Sequence, residues 1–198
     1  MTPGTALVTG ASKRIGRDIA VALADAGWRV GVHYNASAKD AETLAAELNT
    51  RHGGSTAIAI AADLGNIEDL DRLVFETADA LGPVTALVNN ASVFTYDSAQ
   101  TMTADSFAAH IDVNLRGPLF LATRMADALP EGEAGAVINL LDQRVWRPTP
   151  EFFSYSLSKA ALWDATRMLA QALAPAIRVN GIGPGPVLQS VHQSADEF

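Results

Sequence analysis

Short apolar runs along this chain alternate with longer segments in which apolar residues recur every three or four positions. The short runs are typical of buried strands, and they predict strands at 5–9, 29–34, 56–61, 84–89, 135–141 and 177–181. The helical spacing predicts helices at 14–26, 38–51, 67–81, 105–128 and 154–173. Strands that alternate with helices form right-handed βαβ units around a parallel sheet. We therefore predict an α/β protein with a doubly wound parallel sheet of the Rossmann type, a three-layer αβα arrangement in a single domain over residues 1–198.

Polar and glycine-rich segments follow the predicted strands. These segments are residues 10–16, 33–37, Asp63, 89–92, Asp142 and 183–187. A doubly wound sheet binds its ligand beyond the carboxyl ends of its strands, so one ligand along that edge would contact all of these segments.

The first segment has the pattern of a dinucleotide-binding turn. Ala6, Leu7 and Val8 form the predicted strand, Gly10 ends it, and the helical pattern starts close to Gly16. Glycines at such a turn let the backbone approach a pyrophosphate, and the helix N-terminus supplies free N–H groups and a positive dipole. An ordinary strand-to-helix turn is the alternative interpretation of this segment.

Tyr155 and Lys159 are four residues apart in a predicted helix, and Asp142 lies thirteen residues before Tyr155. Residues at this spacing share one face of a helix, so the phenol and the ammonium can converge. At about 4 Å and an effective dielectric of about 20, an ammonium favours a phenolate by about 4 kcal/mol. That would move the pKa of the tyrosine from about 10 toward 7, where it can exchange a proton with a substrate. A tyrosine and a lysine on a solvated helix face would give the same spacing.

Composition narrows the classes of function. The chain has 198 residues, 48% of them hydrophobic and 18% charged, as in a globular domain. The net charge of −8 disfavours a nucleic-acid surface. No apolar run reaches the length of a membrane span and no signal-like segment precedes the first strand, so we expect a cytoplasmic protein without a membrane partner. With no cysteine and four scattered histidines, we expect neither a disulfide nor a metal site.

Taken together, these motifs resemble the short-chain dehydrogenase/reductase family over essentially the whole chain. The matching pieces are TGASKRIG at 9–16, Asp63, NNAS at 89–92, Asn114, YSLSK at 155–159 and NGIGPGPV at 180–187. The resemblance implies a NAD(P)(H) cofactor and hydride transfer. It also implies that Tyr155 is the proton donor in reduction, that Lys159 holds the nicotinamide ribose and lowers the pKa of Tyr155, and that Asn114 sustains a water relay.

The resemblance also implies a set of cofactor contacts. Asp63 would approach the adenine, and Asn89 and Ala91 would line the cofactor path. The full set of predicted cofactor-binding residues is Gly10, Lys13, Arg14, Ile15, Gly16, His33, Tyr34, Asn35, Ser37, Asp63, Leu64, Asn90, Ala91, Ser92, Tyr155, Lys159, Pro184, Gly185 and Val187.

Two departures from the usual family pattern narrow the substrate. Arg14 stands where the family usually has glycine, and Asp142 stands where it has the catalytic serine. A carboxylate cannot donate a hydrogen bond to a ketone unless it is protonated, but it can accept from the N–H groups of a heterocycle. Both departures resemble the pteridine reductase branch, which includes dihydromonapterin-type reductases, and Phe94 occupies the place of the aromatic residue that stacks a pterin there. The predicted substrate contacts are Arg14, Ser92, Phe94, Asp142 and Tyr155.

The segment after the second strand favours NADP(H) over NAD(H). An acidic residue there would accept from the ribose 2′-hydroxyl of NAD(H), but no carboxylate occurs before Asp40. Lys13 and Arg14 add positive charge, although Lys13 could equally be a solvated loop charge. We expect His33, Asn35 and Ser37 to donate to the 2′-phosphate.

The family normally continues past Val187 with a substrate-covering helix and a further strand, and this chain ends at Phe198. We therefore expect a truncated or divergent form that lacks these elements, and a homodimer or homotetramer when the protein is full length. The leading interpretation is an NADPH-dependent reductase of a pterin-like small molecule. The alternatives are a short-chain carbonyl reductase of a 3-oxoacyl thioester, sugar or alcohol, and a catalytically silent NADP-binding protein.

Overall fold

Six parallel strands form one sheet in the order β3-β2-β1-β4-β5-β6 in the computed structural model, which describes residues 2–185 and 187. The strands are β1 (Thr5–Val8), β2 (Arg29–Tyr34), β3 (Ala57–Ala61), β4 (Val84–Asn89), β5 (Gly135–Leu140) and β6 (Ile177–Ile182). The helices are α1 (Arg14–Asp25), α2 (Ala38–His52), α3 (Ile67–Leu81), α4 (Ala104–Ile111), α5 (Gly117–Ala128) and α6 (Phe153–Ala172). The predicted doubly wound αβα fold is confirmed.

Apolar residues cover both faces of the sheet. On one face, Leu70 and Leu73 of α3 and Leu121 and Met125 of α5 are buried against the strands. On the other face, Leu44 of α2 packs with the buried valines of the central strands and with small residues of α1. Strands that are apolar on both faces need a helical layer on each side, which is why the sequence shows near-continuous apolar runs.

The predicted single helix at 105–128 is interrupted. A π-helical turn over Asp112–Arg116 separates α4 from α5 and accommodates the buried side chain of Asn114. One extra residue per turn leaves the helical periodicity almost unchanged, so the sequence pattern does not reveal it.

The strand order reverses at β1, which pairs with β2 on one side and with β4 on the other. Chain segments leave this point in opposite directions and open a crevice at the carboxyl edge of the sheet. This places the loop after β1 opposite the segment after β4. No helix within residues 2–185 is both long and apolar enough to cross a membrane. The expected loss of the last family helix and strand concerns residues 186 and 188–198 and what would follow them, which lie outside the described residues.

Candidate active site

A cleft of about 420 Å³ lies at the point where the strand order reverses. It is lined by Gly10, Lys13, Arg14, Ile15, Gly16, His33, Asn35, Asp63, Leu64, Asn90, Ala91, Ser92, Val93 and Val113. Only Val93 and Val113 are outside the set of residues predicted to bind the cofactor. The fold therefore brings predicted residues from four loops into one cavity.

Two glycines make the close approach in this cleft possible. Gly10 has a φ of +60°, and a Cβ there would lie 3.0 Å from the Cα of Ala91. A Cβ on Gly16 would collide with the carbonyl oxygen of Gly10. The Asn90 side chain fixes the loop, because its amide donates to the carbonyl oxygens of Thr9 and Gly10 at 2.9 and 3.1 Å. The turn is thus held open and rigid at the first helix, as a pyrophosphate site requires.

His33 is a structural link in this loop. Its Nδ1 accepts from the backbone N–H of Gly10 at 2.9 Å, so the ring proton is on Nε2, which donates to the carbonyl oxygen of Ala62 at 3.0 Å. Burial is the main cause that lowers the pKa of His33 from 6.5 to about 4, so the ring is neutral at pH 7. The prediction that His33 donates to a 2′-phosphate is wrong, because both ring nitrogens already have protein partners.

Two other predicted cofactor contacts near the end of β2, Tyr34 and Ser37, lie outside the cleft lining. Tyr34 is half-buried against the α1–α2 core, and Ser37 stands at the start of α2. Asn35 is exposed and lines the cleft. Lys13 pairs with Asp40 at 3.0 Å across two exposed side chains, which adds little stability but places a cation at the rim.

Four further predicted cofactor positions, Asn89, Pro184, Gly185 and Val187, are not part of the cleft lining. Asn89 is buried and donates to Asn139 at 2.8 Å, so the expectation that it lines the cofactor path is wrong. Pro184, Gly185 and Val187 follow β6, and their cofactor contacts stay a prediction.

Arg14 lines the cleft in a left-handed backbone conformation, with a φ of 53°. Such a φ costs a residue with a Cβ about 1–2 kcal/mol, which explains the usual glycine at this family position. Strained backbone of this kind is typical of functional sites.

Tyr155 and Asp142 form a direct pair beside the cleft. The Tyr155 hydroxyl donates to Asp142 Oδ2 at 2.9 Å, and Asp142 Oδ1 accepts from the backbone N–H of Arg144 at 2.8 Å. Burial and the adjacent carboxylate raise the pKa of Tyr155 above its ordinary value, while Arg144 acts in the opposite direction. The prediction that Lys159 moves the pKa of Tyr155 toward 7 is therefore wrong for this state of the protein, because burial and Asp142 decide the direction. Tyr155 is protonated at neutral pH.

Lys159 is buried behind the tyrosine. Its ammonium donates to the carbonyl oxygen of Leu140 at 2.7 Å and lies 5.8 Å from the centre of the Tyr155 ring. Burial lowers the pKa of Lys159 to about 8, against the opposing effect of Asp142. An ammonium has three donors, and among the described residues the carbonyl of Leu140 is the hydrogen-bond acceptor found for it. The remaining donors suit the hydroxyl groups of a ribose.

Asn114 acts as a cross-link between loop and helix. Its amide nitrogen donates to the Val93 carbonyl and to Ser158 Oγ, at 2.9 and 3.0 Å. Its amide oxygen accepts from the Val93 N–H at 2.7 Å and from the Ser92 hydroxyl at 3.2 Å. These four bonds use the hydrogen-bonding capacity of the side chain. The side chain thus positions the loop after β4 against α6, and the water relay at Asn114 stays a prediction.

Phe94 is stacked within the protein. Its ring lies 4.4 Å from the ring of Phe152 at an angle of 12°, and 4.6 Å from the Tyr155 ring in an edge arrangement. The sequence predicts that this ring stacks on a flat substrate. In the structure, Phe152 stacks on it. Phe152 has a φ of 52° and directly precedes α6.

Three residues at this site escape sequence reasoning: Phe152, Arg144 and Asp97. The guanidinium carbon of Arg144 lies 5.5 Å from the ring centre of Phe94 and 4.9 Å from that of Phe152. Asp97 is buried, and its carboxylate accepts from the Ser154 N–H at 3.0 Å at the start of α6. No periodicity marks these residues. The position of Arg144 two residues after Asp142 is the one signal that could have drawn attention to it.

Comparisons of both sequence and structure with known proteins indicate the same family. The family model described as short chain dehydrogenase matches residues 4–197. The solved structure of FolM alternative dihydrofolate reductase 1 from Brucella canis, complexed with NADP, is 45% identical with a TM-score of 0.94, and the match covers 99% of this chain and 77% of that chain.

Two curated relatives differ in activity. Pteridine reductase 1 of Leishmania tarentolae is 35% identical over 229 residues, covering 93% of this chain and 76% of the relative. The 3-oxoacyl-(acyl-carrier-protein) reductase of Synechocystis is 34% identical over 187 residues, covering 93% of this chain and 74% of the relative. The predicted resemblance, including its pteridine reductase branch, is confirmed, and the 3-oxoacyl reductase is an equally similar relative. The chain belongs to the short-chain dehydrogenase family.

Proposed function

We propose that this chain is an NADPH-dependent reductase that transfers a hydride to a pterin or dihydropterin, with Tyr155 as the proton donor. The observation that carries the substrate class is the 2.9 Å hydrogen bond from the Tyr155 hydroxyl to the carboxylate of Asp142, beside the ring of Phe94. The broader activity, that of an NADP(H)-dependent oxidoreductase, follows from family membership and from NADP in the similar Brucella canis structure.

A dinucleotide fits the cleft of this chain. Gly10 and Gly16 keep the turn after β1 clear of side chains, and the first helix begins at Arg14. Lys159 offers donors beside Tyr155 for ribose hydroxyls. With Lys13 and Arg14 on the lining and the carboxylate of Asp40 paired to Lys13, the charge around the cleft supports a 2′-phosphate.

The pair of Asp142 and Tyr155 supports a substrate with both N–H donors and a basic ring nitrogen. Reduction of a C=N bond adds a hydride to carbon and a proton to nitrogen, and NADPH supplies the hydride when it is bound. The protonated Tyr155 supplies the proton, and solvent water restores it. The Asp142 carboxylate keeps the phenol oriented and accepts from ring or amino N–H groups of the substrate. Phe94 provides a stacking face, and Arg14 provides guanidinium donors.

A 3-oxoacyl thioester is the second candidate substrate, because the Synechocystis reductase is 34% identical. In that reaction a ketone oxygen needs two hydrogen-bond donors, and here Asp142 supplies an acceptor in place of the second donor. A catalytically silent NADP-binding protein is the third candidate, and the retained pair of Tyr155 and Lys159 argues against it.

The test follows NADPH absorbance with dihydropterins, dihydrofolate, simple ketones and an acetoacetyl thioester. Because the chain spans about three quarters of the length of its relatives, a form extended to their length is measured beside it. We expect turnover of dihydropterins, and we expect Asp142→Ser to lower that turnover more than it lowers NADPH affinity. Turnover of ketones or thioesters without any pterin would instead establish the carbonyl reductase.

Assembly and location are part of the same proposal. A homodimer or homotetramer of the full-length protein fits the exposed apolar side chains Phe107, Phe120, Leu157 and Met168 of α4, α5 and α6. We propose one domain over the whole chain and a cytoplasmic location. Size-exclusion chromatography with light scattering tests the assembly, and fractionation of cells tests the location.

A further inference from the structure

Arg144 lies over the aromatic pair beside the catalytic tyrosine. Its guanidinium carbon is 4.9 Å from the ring centre of Phe152 and 5.5 Å from that of Phe94, and the side chain is half-buried. The backbone N–H of Arg144 donates to Asp142 Oδ1, so the carboxylate that holds Tyr155 also fixes the start of this side chain. Arg144 therefore projects from the same turn as the proton-transfer pair.

The guanidinium of Arg144 keeps its hydrogen-bond donors available within the described part of the chain. Arg72 and Arg124 each pair with two carboxylates, at distances from 2.7 to 3.5 Å. Arg144 forms no ion pair and no side-chain hydrogen bond with any residue in 2–185 or with 187, and its guanidinium lies near the rings of Phe94 and Phe152. A guanidinium beside aromatic rings still has N–H groups in the fork geometry that matches a carboxylate.

Arg144 is also absent from the lining of the cofactor cleft. A ligand group that it binds would therefore belong to the molecule next to Phe94 and Tyr155, which is the substrate. A single planar fork fits a carboxylate, whereas phosphate sites usually combine several cations or a helix N-terminus. An arginine kept without an acidic partner in a chain of net charge −8 is consistent with a role in binding an anion.

We propose that Arg144 is a specificity-determining residue that binds a carboxylate carried on the side chain of the flat heterocyclic substrate. This inference rests on the proposed function and extends it from a pterin to an acidic pterin conjugate. The guanidinium carbon lies 4.9 and 5.5 Å from the centres of the Phe152 and Phe94 rings, so the carboxylate and the flat ring of the substrate would be recognised together. Neutral pterins would bind through the ring contacts alone.

The experiment compares dihydrofolate, which carries carboxylates, with 7,8-dihydrobiopterin, whose side chain is neutral, at saturating NADPH. Wild type, Arg144→Gln and Arg144→Lys are measured in both the 198-residue chain and the extended form. Arg147→Gln is the matched control, because Arg147 is exposed in the same loop and its substitution removes the same charge. Circular dichroism and NADPH affinity verify that each variant is folded and binds cofactor.

We expect Arg144→Gln to raise the KM for dihydrofolate at least about tenfold while kcat is retained, with the KM for dihydrobiopterin within about twofold of wild type. Arg144→Lys should recover part of the loss, and Arg147→Gln should change neither substrate. If wild type reduces both substrates and Arg144→Gln leaves the ratio of their KM values unchanged, this inference is wrong and the proposed function stands. If wild type reduces neither substrate but does reduce ketones, the proposed function fails and this inference fails with it.

Discussion

Acidification should loosen the loop after β1 through one buried residue, His33. The neutral ring accepts from Gly10 N–H and donates to the Ala62 carbonyl, and a protonated ring cannot accept. The pKa of His33 is about 4 in the folded protein and about 6.5 in an exposed histidine. Between these two pH values the unfolded chain binds more protons than the folded chain, so stability falls as the pH falls.

The size of this effect follows from the two pKa values. Relative to pH 7.5, the shift removes about 2 kcal/mol of unfolding free energy at about pH 5, and about 3 kcal/mol once the pH is below 4. The loss of unfolding free energy is gradual above pH 6, and it levels off when His33 is protonated in both the folded and the unfolded chain. The bond to Gly10 breaks only when His33 is protonated in the folded protein, so NADPH affinity should weaken near the folded pKa of about 4.

Urea denaturation of wild type and His33→Gln at a series of pH values tests this reasoning. The glutamine amide offers one acceptor and one donor but does not titrate, so carboxylates elsewhere contribute equally to both proteins. Between pH 7.5 and 5, we expect wild type to lose about 2 kcal/mol more unfolding free energy than His33→Gln loses. A difference that stays constant over that range would refute the role of His33.

Four further outcomes are expected. Tyr155→Phe should lower turnover about 10²-fold or more while NADPH still binds, as measured by single-turnover absorbance and fluorescence titration, and retained turnover would make the hydroxyl structural. Arg14→Gly should be more stable than Arg14→Ala by about 1 kcal/mol in urea denaturation, because only glycine relieves the positive φ; equal stability would show that no strain is stored there. NADPH should bind at least about tenfold tighter than NADH, about 1.4 kcal/mol, and equal affinities would contradict the assignment of the rim charges. Phe94→Ala should raise the KM for a dihydropterin by the loss of about 0.5–1.5 kcal/mol of stacking, whereas an unchanged KM would place the pterin elsewhere.

The sequence predicts the fold well because each strand and helix has its own local period. The position of the cleft follows in turn, since parallel strands bring their carboxyl ends to one edge. The π turn around Asn114 is not predicted, because its cause is a set of contacts with Val93 and Ser158, which are distant in the chain.

The chemical state of the site depends on burial and partners, which spacing does not show. The i, i+4 spacing correctly places Tyr155 and Lys159 on one helix, but the ammonium bonds to Leu140 and the phenol to Asp142. His33 was expected to face a phosphate because it follows a strand, and its burial decides otherwise. Such tertiary contacts are visible only after folding.

Asp97 has a mechanical consequence for the proposed substrate site. Its carbonyl accepts from the Phe153 N–H and its carboxylate from the Ser154 N–H, while the Ser106 hydroxyl of α4 donates to the same carboxylate. These hydrogen bonds connect the segment that carries Phe94 to the helix that carries Tyr155. Opening that segment would remove these bonds from the start of the helix that carries Tyr155, so the ring of Phe94 and the phenol keep their relative position before any ligand arrives. A ligand then spends little of its binding free energy on ordering the protein.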